Sequence, residues 1–206
     1  MKEIILTNKN RIEVLQAALG VLQNDGVIIY PTETSYGLGA DFFSPTAVKK
    51  VYQVKGRDKD KPLSVIVSDF VYASSLVDFN HIARSLATQY WPGPLTLVLP
   101  FKHHHWQDYF DKFLALRVSS LALAQTIAAL LACPLVATSA NISGNSPSYR
   151  VDDIRQQFAK AKYQPDLFIN AGDLEVNQPS TMIKCERDSA TILRQGALQV
   201  NLNLFK

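Results

Sequence analysis

The sequence predicts an α/β protein built on a twisted mixed sheet, parallel and antiparallel strands together, with helices on its flanks. Three observations carry that prediction. Apolar segments of two kinds alternate along the chain, some at helical spacing and some as short β-branched runs. Through the first two thirds they take turns, the pattern of strands joined by crossover helices. In the last third, short strands near 167–169, 181–183 and 191–193 cluster, and the last two have no helix between them, which calls for antiparallel pairing.

The elements follow in order. Ile12, Leu15, Leu19 and Leu22 recur at helical spacing and predict a first helix that buries those four. Val27-Ile28-Ile29-Tyr30 follows Gly26 as a strand. Ser44-Pro45 sets a capping hydroxyl before a proline at the first helical position, and Ala47, Val48, Val51 and Tyr52 give the next helix its apolar side. That helix delivers Lys55 at its end. Residues 63–67, 95–99, 114–118 and 135–138 form apolar strands. Helices are predicted at 81–90 and 121–132, where Ile82, Leu86 and Tyr90, then Leu123, Ile127 and Leu130, share single faces. One more amphipathic helix covers about 151–160.

With 206 residues, 47% of them hydrophobic and 19% charged, one domain over 1–206 with a sizeable core is the expected organisation. The first six residues turn polar at once, and no apolar run reaches the roughly 18 residues of a membrane helix, so a cytoplasmic protein is expected. Cys133 and Cys185 have no His or Cys at ligand spacing. His103-His104-His105 is bait for a metal, but neighbours on an extended chain alternate sides and no acid or thiol completes a shell. No protein-bound metal is expected.

The formal net charge of +3 is unevenly spread. Residues 49–61 hold Lys49, Lys50, Lys55, Arg57, Lys59 and Lys61 against Asp58 and Asp60, a local +4 that leaves −1 for everything else. So local a cluster suits an anion site better than a surface that coats polyanions.

Polar residues gather where strands end. The 27–30 strand runs into Pro31-Thr32-Glu33-Thr34-Ser35, the 135–138 strand into Ser139-Ala140-Asn141, and the late strands carry Ser180-Thr181 and Arg194-Gln195-Gly196. Ligands collect at such ends in α/β sheets, although turn chemistry explains each stretch singly. Gly37-Leu38-Gly39 lacks the third glycine of a dinucleotide loop, and no Walker-type loop is present. A bound phosphate would need cations instead, and Lys55, Arg57, Arg117 and Arg194 are candidates. Arg117 interrupts an apolar strand, where a buried charge needs an anion to meet it; the bland alternative is an edge strand with Arg117 in water.

These pieces resemble one known family. Tyr30-Pro31-Thr32-Glu33-Thr34-Ser35-Tyr36-Gly37-Leu38-Gly39, Lys55-Gly56-Arg57, Trp91-Pro92-Gly93-Pro94, Leu116-Arg117-Val118, Ser139-Ala140-Asn141, Pro179-Ser180-Thr181 and Leu193-Arg194-Gln195-Gly196 occur in the order found in YrdC-like threonylcarbamoyl-AMP synthases, short single-domain form. The resemblance spans about residues 10 to 196. It implies a concave basic cavity and a nucleotidyl transfer in which L-threonine, bicarbonate and ATP, the last carrying Mg2+, give threonylcarbamoyl-AMP and pyrophosphate. Downstream tRNA threonylcarbamoyl transferase proteins would use the product for N6-threonylcarbamoyladenosine at position 37 of tRNA.

Residue by residue, the resemblance implies catalytic roles for Lys55, Arg57, Ser139 and Asn141. Thr32, Arg117, Ser139 and Ser180 would bind threonine and its carbamate. Lys55, Arg57, Lys59, Asn141, Tyr149 and Arg194 would hold ATP. Three stretches depart from the family pattern: Asp58 follows Arg57 where relatives carry proline, Ser119-Ser120-Leu121-Ala122 replaces an acidic-His-Pro strand end, and Ser146-Pro147-Ser148-Tyr149 differs in register. Two other readings stand beside this one. A paralogue would make a different carbamoyl- or acyl-adenylate, and a double-stranded RNA or ribosome-precursor binding module would bind phosphates without turnover and lose affinity steeply with salt.

Overall fold

The computed structural model describes residues 1–58, 61–102 and 112–205. The mixed pairing foreseen from the sequence is present, divided over two sheets. The first, of five strands, has the order β1 (Lys2–Ile5), β9 (Leu167–Asn170), β2 (Ile28–Pro31), β3 (Tyr36–Gly39), β8 (Thr138–Ser139). The second, of six strands, runs β11 (Ser189–Arg194), β10 (Thr181–Glu186), β5 (Leu95–Pro100), β6 (Phe113–Arg117), β4 (Ser64–Ile66), β7 (Leu135–Val136). The 135–138 run splits at Ala137. Its first half pairs antiparallel with β4 and its second half antiparallel with β3, so one short segment ties the two sheets together.

The period of two along each strand decides what each sheet covers. Ile28 and Tyr30 of β2, with Leu167 and Ile169 of β9, face a core shared with Val14, Ala18 and Leu22 of α1 (Arg11–Leu22) and Leu123 and Ile127 of α5 (Ala122–Leu131). Their neighbours Ile29 and Phe168 turn the other way, into a larger core. There they meet Leu95, Leu97, Leu99, Leu114, Leu116 and Ile183 of the six-stranded sheet. The same core takes in Val51 of α2 (Pro45–Lys55), Ala73 of α3 (Phe70–Leu76), Leu86 of α4 (His81–Tyr90) and Phe158 of α6 (Val151–Ala159).

Local chemistry explains the ends of α2. The Ser44 hydroxyl accepts from the Ala47 amide at 3.1 Å, Pro45 opens the helix, and Gly56 closes it at φ 57°, in the left-handed region where glycine has no steric cost. α1 differs from expectation. Its buried stripe is Val14, Ala18 and Leu22, with Leu15 and Leu19 partly buried and Ile12 74% exposed, because packing against α5 selects a face rotated by roughly a quarter turn. β1, β3 and α3 were not foreseen. Two glycines in four residues disguise β3, yet Gly39 is required there, since a Cβ would come within 2.7 Å of the Tyr30 ring. Among the described residues no helix is long and apolar enough to cross a membrane.

Candidate active site

One face of the six-stranded sheet is covered by core; alternate residues on its other face line a cavity. Val98 of β5, Phe113, Ala115 and Arg117 of β6, and Met182 of β10 lie along it, between the core-facing Leu97, Leu114, Leu116 and Ile183. The five-stranded sheet supplies the opposing wall through the turn after β2, with Thr32, Thr34 and Ser35, and through Thr138 and Ser139 of β8. The volume is about 590 Å3, within the 300–1,000 Å3 range of small-molecule sites.

Seven predicted site residues meet in this one cavity: Thr32, Arg57, Arg117, Ser139, Tyr149, Ser180 and Arg194. Lys55 and Asn141 are near it without lining it. Lys59 and the 103–105 histidines lie outside the described residues.

Lys55 is only 2% exposed. Its Nζ reaches Ser139 O at 2.6 Å, Ser139 Oγ at 3.3 Å, Asn141 O at 3.1 Å and Asn141 Oδ1 at 2.8 Å. Three N–H bonds shared by four oxygens leave this ammonium no spare donor. The Ser139 hydroxyl also donates to Asn141 Oδ1 at 2.6 Å, and the Asn141 amide donates to Asn145 O at 2.5 Å. Lys55 and Asn141 thus clamp the 139–145 loop from behind and present Ser139 to the cavity. Burial, and then the charge of Arg57, push Lys55 down to about 8.

Arg57, two residues on, behaves differently. Past the Gly56 turn it lines the cavity and donates through Nε to Lys61 O at 3.3 Å and through Nη2 to Pro62 O at 3.2 Å, both of them neutral carbonyls. Arg194 donates to Ser180 O at 3.1 and 2.9 Å and to Ser180 Oγ at 3.0 Å. Ser180 Oγ is also 2.7 Å from Thr96 Oγ1. Gly196 packs directly on the backbone of this segment, since a Cβ there would fall 2.1 Å from Pro179 O. Burial, with the Arg117 charge second, lowers the Arg194 pKa. Thr32 Oγ1 donates to Ser35 O at 2.7 Å and is used largely by its own turn.

The family model Sua5/YciO/YrdC, which carries the description telomere recombination, matches residues 20–196. The chain belongs to this family. Its Sua5/YciO/YrdC relatives include the threonylcarbamoyl-AMP synthase of Serratia proteamaculans, 36% identical over 148 residues, 69% of this chain and 78% of that protein. The threonylcarbamoyl-AMP synthase of Pyrococcus abyssi is 31% identical over 200 residues, 95% of this chain. The chain spans 58% of that relative's length. P. abyssi Sua5 complexed with L-threonine superposes with a TM-score of 0.83 at 29% identity, covering 95% of this chain and 57% of that one. E. coli YciO gives a TM-score of 0.83 at 23% identity over 98% of this chain and 97% of its own, a likeness of fold.

The sequence reading missed Glu33 and Ser119, which adjoin Arg117 without lining the cavity. Glu33 Oε1 lies 3.3 Å from Arg117 Nε, and Ser119 donates its hydroxyl proton to Glu33 Oε2. The signal was available: one acid among hydroxyls in Thr32-Glu33-Thr34, and one cation inside an apolar strand. Arg117 is therefore neither an edge residue in water nor unpaired. The floor positions Val98, Ala115 and Met182 were also legible, as the alternate positions of the strands 95–99, 114–118 and 181–183, whereas Phe113 lies just before its predicted strand.

Proposed function

We propose that the chain is an L-threonylcarbamoyladenylate synthase, a nucleotidyltransferase that converts L-threonine, bicarbonate and ATP into threonylcarbamoyl-AMP and pyrophosphate. The observation that carries this reading is the convergence of three guanidiniums, Arg57, Arg117 and Arg194, with the hydroxyls of Ser139 and Ser180 on one cavity, in a chain whose curated relatives bear that activity's name.

The chemistry asks for such a site. The threonine amine adds to bicarbonate with loss of water, giving an N-carboxylate. One carboxylate oxygen then attacks the α-phosphorus of ATP; the new P–O bond forms as the bond to pyrophosphate breaks. Two anions must approach, so preorganised cations lower the barrier, each being worth about 10²–10³-fold in rate. Arg57 is assigned to the phosphates, Arg194 with Tyr149 to the nucleotide, and Arg117 to the threonine carboxylate, which its planar fork suits. Lys55 and Asn141 act through Ser139. No covalent nucleophile is invoked; positioning and charge do the work.

Ser139, Ser180 and Thr32 would read the threonine hydroxyl. A site built to bond that group discriminates against analogues without it by up to about 10⁴–10⁵-fold, because its own buried groups would be left unpaired. Magnesium would travel on the triphosphate, Lys59 would assist on the phosphates, and the product would pass, in the cytoplasm, to transferase proteins that modify tRNA. A concave cavity of this size fits small molecules better than a duplex, which weighs against the RNA-binding module.

Purified protein with magnesium, ATP, bicarbonate and L-threonine should release pyrophosphate and form an adenylate of the expected mass. Release that persists equally without threonine would discard the amino-acid assignment. Absence of turnover together with tight binding of double-stranded RNA would replace the enzyme with the binding module.

A further inference from the structure

Arg117 enters the cavity wall with only 10% of its side chain exposed, and Glu33 has 12%. Arg117 Nε and Glu33 Oε1 stand 3.3 Å apart, yet both are buried atoms that make no hydrogen bond with a described residue. The charges are adjacent and the angle is wrong. Glu33 is held in that position from the other side, since its Oε2 accepts from Ser119 Oγ, which in turn accepts from the Leu121 amide at 3.2 Å. Arg117 lines the cavity; Glu33 and Ser119 do not.

A buried guanidinium with no anion near it is costly, whereas one in a full bidentate pair with its own protein would be hard to recruit for a ligand. The half-made contact avoids both. We infer that Glu33 is a placeholder anion, a positioning residue that offsets the charge of Arg117 and holds it in place before substrate binds and yields it to the carboxylate of the incoming amino acid, with Ser119 restraining Glu33 from completing the pair. The inference rests on the assignment of Arg117 to the substrate carboxylate in the function proposed above. It also gives Ser119, one of the chain's departures from its family pattern, a definite task.

Two substitutions move the equilibrium in opposite directions. Glu33→Gln keeps the shape and removes the competing charge, so L-threonine should bind on the order of tenfold more tightly, the size expected of one nearby charge in a partly screened site. Ser119→Ala frees Glu33 to align with Arg117, so L-threonine should bind about threefold more weakly, the scale of one hydrogen bond. Calorimetric titration of wild type and both variants with L-threonine, with far-UV circular dichroism to verify folding, reads these shifts. A role confined to stability predicts no opposed pair of signs. Glu33→Gln binding that is unchanged or weaker would overturn the placeholder, weaker binding pointing to a contact with the substrate ammonium. If Glu33→Gln fails to fold, Ser119→Ala decides alone, and unchanged or tighter binding overturns the proposal. L-threonine binding to wild type with the wrong variant shifts sinks only this inference; no binding to wild type sinks the functional reading and this with it.

Discussion

Lys55 and Arg57 are two residues apart, and the structure gives them opposite surroundings. Lys55 ends α2 inside a ring of four oxygens from Ser139 and Asn141, buried and saturated. Arg57, beyond the left-handed turn at Gly56, stands in the cavity wall and donates to the carbonyls of Lys61 and Pro62. Neighbouring cations in one sequence motif are therefore placed differently: one is bonded into the loop that carries Ser139, the other lines the cavity and, in the proposed function, serves the phosphates. The 49–61 basic cluster is divided between the scaffold and the site.

The hardest test of that division is Lys55→Met. Removing the ammonium takes a donor from four oxygens, the two of Asn141 in buried bonds, and the variant should lose about 3 kcal/mol of stability, seen as a lower urea midpoint at unchanged slope, with turnover lost as the 139–145 loop relaxes. A stable variant that merely turns over slowly would move Lys55 to the side of Arg57. Next comes Arg57→Ala, for which turnover should fall about 10²–10³-fold while stability stays within about 0.5 kcal/mol. A large loss of stability with intact turnover would erase the contrast.

A smaller effect sharpens it through pH. Burial first, and Arg57 second, bring Lys55 down to about 8 from 10.5. The folded state thus releases this proton before the unfolded chain does, and between about pH 8 and 10.5 the unfolded state binds more protons. The Lys55-linked part of the stability must then rise with pH across that window. The difference in unfolding free energy between wild type and Lys55→Met should grow accordingly, and in an Arg57→Ala background its onset should move to higher pH. A flat difference would mean that the ammonium is not desolvated. The smallest change is expected at Tyr149→Phe, which loses a 2.9 Å bond from the exposed Tyr149 hydroxyl to Asn177 O. Stability should change by less than about 1 kcal/mol and the KM for ATP by less than about threefold; a tenfold rise would promote Tyr149 to a principal nucleotide contact.

Periodicity and capping made most elements legible. The Ser44-Pro45 start of α2, α4 over His81–Tyr90, and the floor strands β5, β6 and β10 follow from short-range rules that do not depend on what lies across the fold. What sequence spacing missed is long-range. β3 is a strand because β2 and β8 pair with it, despite its glycines; the 135–138 run divides because its halves find partners in different sheets; and α1 buries Val14 in place of Ile12 because α5 selects that face.

The same boundary runs through the site. The sequence by itself determined which side chains were available: a local excess of cations, hydroxyls at strand ends and one arginine inside an apolar strand. Only tertiary structure decided their duties, because whether a charge is spent or free depends on which oxygens lie within about 3 Å of it. For Lys55 those oxygens come from residues 84 and 86 positions along the chain, and for Arg117 from Glu33 on another sheet's turn.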